Sequence, residues 1–80
     1  MLSIRDVVKA VVDNDGYTFG ASQLKMSLED FQQVAVAVKE AEMNGYIDVR
    51  IWHKSGSVVG FDCIVVEGAT DAGREFLDRG

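Results

Sequence analysis

Two spacings of apolar residues alternate along this chain. From Ile4 they recur at helical intervals, as Ile4, Val7, Val8, Val11 and Val12. Ser3 precedes them with Asp6 three residues on, the pair of a capping box, and Asp15-Gly16 stops the run. Tyr17-Thr18-Phe19 is too short for an independent strand but would add an edge to a sheet. Gly20 opens a short second helix, "ASQLKM", with Ala21 and Leu24 as its apolar contacts. Ser27, with Asp30 as box partner, caps a longer third helix. Its stripe of Leu28, Phe31, Val34, Ala35, Val38 and Ala41 is about two-thirds of a turn wide at ~100° per residue. Asn44-Gly45 closes it, Gly45 being the natural left-handed residue.

From Tyr46 the period changes to two. "YIDVRIW" and "VVGFDCIVV" are β-branched and aromatic, and "HKSGS" between them is turn chemistry, so a hairpin is predicted. With Ser55-Gly56 at the centre of the turn, Trp52 pairs with Val59 and Arg50 with Phe61 on one face. Ile47, Val49 and Ile51 then share the other, and the pattern does not choose which face is buried. Thr70 caps a last short helix, "DAGREFLD", with Arg74–Asp78 and Glu75–Arg79 at the supporting spacing of four. No linker, repeat or low-complexity run intervenes, so residues 1–80 read as a single domain. The order helix, short strand, helix, helix, hairpin, helix predicts an α+β winged helix-turn-helix. It has a three-helix core, a C-terminal β-hairpin wing and a short final helix.

Two stretches carry a resemblance. "AEMNGYIDV" followed by a hairpin and then "ATDAGREFLD" resembles the close of many small bacterial and prophage winged-helix proteins. In those, an L-x-x-x-G-Y-I turn enters the wing, and T-x-x-G-x-x-F/Y-L packs the last helix on the core. Within that superfamily the chain looks most like the YjcQ-type family, over roughly residues 3–78. The matched positions are structural: Gly45 is the turn, Tyr46 and Ile47 start the wing, Thr70 caps, and Phe76 and Leu77 are core. The resemblance thus implies a fold, whose members include DNA-binding regulators and protein binders.

Charge complicates the DNA reading. The net charge of −5 argues against a general nucleic-acid or anionic-membrane coat. On a helical wheel the open face of the third helix presents Glu29, Gln33, Val36 and Glu40. Gln32, Lys39 and Met43 flank one side, and Asp30 and Ala37 the other. DNA affinity comes largely from Lys and Arg neutralising phosphates. Glutamines can still read adenine edges. The leading expectation is a small regulator of transcription that binds double-stranded DNA. Gln32, Gln33 and Lys39 would act from the third helix, with Lys25, Arg50, His53 and Lys54 around it. Useful affinity would then require a homodimer or larger complex. The alternative is a protein-protein interaction module using Glu29, Val36, Glu40, Met43 and Trp52, or mimicking the charge of DNA. Arg50 over Trp52 or Phe61 would add a cation–π contact.

Enzymatic chemistry is not expected. His53 is placed at an exposed turn and Cys63 at the other end of the hairpin, which leaves no nucleophile–base pair. Metal-ligand spacings are missing, "DNDG" at 13–16 lacks the downstream glutamate of a calcium loop, and "GYTFG" is no phosphate loop. No cofactor or metal is therefore expected. A single buried-strand cysteine, with neither signal peptide nor membrane span, points to a cytoplasmic protein in which Cys63 is inert.

Overall fold

The computed structural model describes residues 3–54, 56 and 60–79. The elements run α1 (Ile4–Asn14), β1 (Tyr17–Gly20), α2 (Leu28–Met43), β2 (Ile47–Lys54), β3 (Phe61–Ala69) and α3 (Asp71–Arg79). The strands form one antiparallel sheet in the order β1-β3-β2, and α1 and α2 pack over its inner face. The described residues are thus α+β, with three helices and a three-stranded sheet.

Each early element ends in the same way. In α1 the Ser3 box forms in both directions, and Val7, Val8 and Val11 are fully buried. Asp15 then turns left-handed (φ 53°), and the Gly16 amide reaches back to the Val11 carbonyl, which makes a Schellman closure. Gly16 itself (φ +110°) lies so close to β3 that a Cβ would stand 2.7 Å from the Glu67 carbonyl oxygen. Gly45 (φ 76°) closes α2 likewise, with the Tyr46 amide on the Ala41 carbonyl.

The third instance overturns the expected second helix. The Leu24 amide bonds the Gly20 carbonyl, but Lys25 is left-handed (φ 56°) and the Met26 amide returns to Ala21. Residues 21–25 are therefore a single turn. One turn leaves most of the helix-nucleation cost unrecovered, and closure here stops propagation. The three helices are α1, α2 and the C-terminal α3, so the predicted core of three successive helices is corrected.

In α2, Ser27 Oγ accepts from the Asp30 amide at 3.1 Å, while no return bond from the Asp30 carboxylate is found among the described residues. The predicted stripe is buried apart from half-buried Leu28, and it extends to Ala37, which was expected on an open flank. Ala37 neighbours Val34 and Ala41 on the helix surface, so the buried arc is wider than the pattern implied.

The hairpin departs furthest from expectation. Trp52 pairs with Ile64, and Lys54 with Phe61. The predicted partner Val59 and turn residue Ser55 lie outside the described residues. Arg50 does not pair with Phe61. Val49 opposes Val66 and Ile51 opposes Val65, so Arg50 is an extra residue, a β-bulge. That bulge decides the question of faces. Ile47 and Val49 point inward, and the extra residue then turns Trp52 inward and Ile51 (47% exposed) outward.

The two stretches that carry the family resemblance meet in space. Thr70 Oγ1 donates to the Gly45 carbonyl and accepts from the Gly73 amide. The Thr70 amide bonds the Tyr46 carbonyl at 2.9 Å, and Tyr46 stacks on Phe76 with ring centroids 4.4 Å apart. Phe76 and Leu77 are half-buried, and Arg5 of α1 donates to the Leu77 carbonyl at 3.2 Å. Arg74 pairs with Asp71 at 3.8 Å, where Asp78 was expected. No helix among the described residues is long and apolar enough to cross a membrane.

Two outcomes follow from these contacts. A Cβ at Gly73 would collide with the Tyr46 carbonyl oxygen, whereas one at Gly68 meets open space. Gly73→Ala should lower stability to urea by about 2 kcal/mol, and Gly68→Ala by less than about 0.5 kcal/mol. The Asp6 carboxyl is held below its ordinary value because the Ser3 amide, and then the Ser3 hydroxyl, bond to it. A depressed carboxyl stabilises the fold above its unfolded value and loses that contribution as pH falls through the folded one. Asp6→Asn should therefore flatten the acid end of the stability profile measured by urea unfolding.

Candidate functional site

Four residues of α2 form a ridge at helical spacing: Gln32, Ala35, Val36 and Lys39. Opposite it stand Trp52 of β2 and Phe61 of β3, their ring centroids 5.0 Å apart and tilted by 55°. Between ridge and rings lies an open, mainly apolar groove of about 540 Å³. That volume is within the range of small-ligand and side-chain pockets. Val36 is 58% exposed at its lip, and Met43, one turn past Lys39 on the ridge, is 75% exposed.

Gln32 holds this groove together. Its Oε1 accepts from the Phe61 amide at 2.9 Å, and its Nε2 donates to the carbonyls of Phe61 (2.8 Å) and Leu28 (2.6 Å). The side-chain amide thus pairs with the backbone of Phe61 as a neighbouring strand would, and it pins the start of β3 to α2. Gly60 (φ +136°) passes so close that a Cβ there would stand 2.5 Å from Gln32 Oε1. Two cations close over the floor. Lys39 Nζ is 5.5 Å from the Trp52 ring centroid and Lys54 Nζ is 5.8 Å from that of Phe61. Lys39 also meets Glu42 at 3.4 Å. The expected cation–π contact of Arg50 is accordingly made by lysines.

Of the residues suggested for DNA, Gln32 and Lys39 therefore line the groove, and Lys54 lies beside it over the Phe61 ring. Gln32 is committed to backbone, while Gln33 is exposed on the open face of α2. Lys25 sits at the left-handed turn before α2, and Arg50 at the bulge. His53 lies on a strand, not at a turn, and directly opposes Cys63. This corrects their expected separation. The imidazole Nδ1 nevertheless faces Asp62 at 2.6 Å, and no hydrogen bond joins it to the half-buried Cys63 among the described residues. A thiol nucleophile needs its base within hydrogen-bond reach, so the proximity alone is not a catalytic arrangement. Of the residues suggested for a protein interface, Glu29, Val36, Glu40 and Met43 are exposed on α2 and Trp52 is half-buried in the groove floor. Among the described residues no group of three His, Cys, Asp or Glu side chains is placed to hold a metal.

Sequence reasoning missed Ala35 and Phe61 as groove walls and Gln32 as the clamp between them. The spacing 32, 35, 36, 39 was a signal for the ridge. Comparison with protein-family models, with curated proteins and with solved structures returns no match.

The two adjacent glutamines should behave differently. Gln32→Leu leaves the Phe61 amide and carbonyl unpaired and should cost about 1–3 kcal/mol of stability. Gln33→Leu should stay within about 0.5 kcal/mol, both read by urea unfolding.

Proposed function

We propose that this chain is a winged-helix domain that acts by non-covalent binding, and that its groove between α2 and the β2–β3 hairpin receives a segment of a protein partner. The sheet order β1-β3-β2, with α2 preceding the hairpin, supports the winged-helix reading. So does the resemblance to YjcQ-type proteins, whose quoted turn and cap residues touch here. One observation carries the choice of partner: the groove is apolar and open, and Gln32, one of the two base-reading candidates, is spent holding it together. Exposed Val36 and Met43 continue its apolar surface along α2. Helix-and-hairpin grooves of this kind suit apolar side chains presented by a partner.

A second reading, a small DNA-binding regulator of bacterial or phage type, is favoured by Lys39 and Lys54 flanking the same cleft. The remaining charges of α2 speak against it, since Glu29 and Glu40 lie where phosphates would approach.

Titration distinguishes the two. An amphipathic helical peptide should shift the emission of Trp52, the sole tryptophan, in a saturable way. Val36→Glu should weaken that binding on the order of 10-fold with the far-UV spectrum unchanged. Mixed-sequence duplex DNA should leave the fluorescence anisotropy of the labelled duplex flat at low salt. Salt-sensitive DNA binding that is lost in Lys54→Glu or Arg50→Glu, with no peptide response, would transfer the assignment to the regulator.

A further inference from the structure

Resting on the protein-binding reading, we infer that the groove selects an acidic amphipathic helix. Its apolar side chains seat on Trp52, Phe61 and Val36, and its flanking carboxylates meet Lys39 and Lys54. The chain carries a net charge of −5, yet Lys39, the one charged residue in the groove lining, is a cation over Trp52, and Lys54 lies beside the lining over Phe61. The cationic lip is a local exception on an acidic protein. An aromatic ring lies beneath each ammonium, so the cations are already drawn to the lip and less side-chain freedom is lost when a carboxylate arrives.

The existing partners of these lysines leave them able to respond. Lys39 meets Glu42 at 3.4 Å, with 58% of the lysine side chain exposed, and such pairs contribute little. Lys54 has no carboxylate within ion-pair distance among the described residues. Glu29 and Glu40 sit on the open face of α2, outside the residues that line the groove. They repel an acidic segment lying across α2 and steer it into the channel between α2 and the hairpin. The ridge from Gln32 to Lys39 spans about 10 Å, or some two helical turns, so apolar residues at i, i+3 or i+4, and i+7 of a partner helix match its length.

Three synthetic peptides test this. They share one apolar pattern and carry Glu, Gln or Lys at every polar position, and Trp52 emission reports binding. The Glu peptide should bind on the order of 10-fold more tightly than the Gln peptide, with the Lys peptide weakest, and the difference should shrink as salt rises. The Lys39→Glu/Lys54→Glu double variant should reverse the order of the Glu and Lys peptides. Lys39→Gln/Lys54→Gln should merely level them, and urea unfolding of both variants checks that the fold is kept. Equal binding of all three peptides, or preference for the Lys peptide, would overturn the acidic selection. If Val36→Glu still weakens such binding, the protein-binding reading survives. Emission that changes with protein concentration alone would assign the groove to a second copy of this chain and end the inference. No response to any peptide, with or without salt-sensitive binding of duplex DNA, would remove both readings together.

Discussion

Register slips in the hairpin, at Arg50 in β2 beside Trp52 and at Asp62 in β3 beside Phe61, are the constraint on which the groove depends. A strand with strict alternation would send Ile47, Val49 and Ile51 to one face and leave Arg50 and Trp52 on the other. One extra residue between Val49 and Ile51 breaks that rule halfway along β2. The first half of the strand serves the core through Ile47 and Val49, and the second half turns Trp52 toward α2. Without the slip, Trp52 would face away from α2 and Ile51 would fill its place, leaving an ordinary aliphatic contact. Bulges commonly re-aim side chains beside functional sites, and they also make an edge strand a poor template for further pairing. Both effects apply here, because β2 is an edge strand.

Gln32 completes what the bulge begins. The groove walls come from α2 and from two strands, and nothing in the local sequence holds these at a fixed separation. A two-sided amide bonded to both polar groups of Phe61 fixes the distance between helix and strand at the point where the aromatic floor starts. Gly60 allows the approach, since a side chain there would displace the amide. The same residue cannot serve base reading and this clamp at once. Its commitment therefore shifts the weight of the site from hydrogen-bonding edges to apolar area framed by cations.

Much of this was legible in the sequence, and the misses share a cause. The caps at Ser3 and Ser27, the stops at Asp15 and Gly45, and the buried stripes of α1 and α2 follow from local spacing and were read correctly. The expected helix over Ala21–Met26 failed because composition does not reveal that Lys25 adopts a left-handed conformation, which residues other than glycine seldom do. The hairpin pairing failed because the register does not follow from a turn centred on Ser55-Gly56: Lys54 already opposes Phe61 and Trp52 opposes Ile64, before the bulge at Arg50 is reached, and neither that offset nor the bulge leaves a compositional mark. Gln32 was placed correctly at the edge of the helix stripe. What escaped was its partner 29 residues away, since a long-range bond to backbone involves no distinctive residue type. Local rules thus located the elements, and tertiary contacts chose their use.

The charges of α2 can be understood on the same terms. Glu29 and Asp30 occupy its first turn beside the Ser27 cap, where negative charge complements the positive end of the helix dipole. Those two carboxylates have a structural reason to be present whatever the helix binds. They also occupy the amide-rich helix end that anion-binding helices offer to phosphate. At the other end the logic inverts. The last turn has no basic residue, and Glu40 and Glu42 stand against the negative end of the dipole. Local stability does not account for them, and Lys39 offsets only Glu42. On the proposed protein-binding reading, a carboxylate on this exposed helix face would repel anions from the open face of α2, while the lysines over the aromatic rings would still attract them. The charge pattern then favours one narrow approach, along the groove, over broad contact with a polyanion.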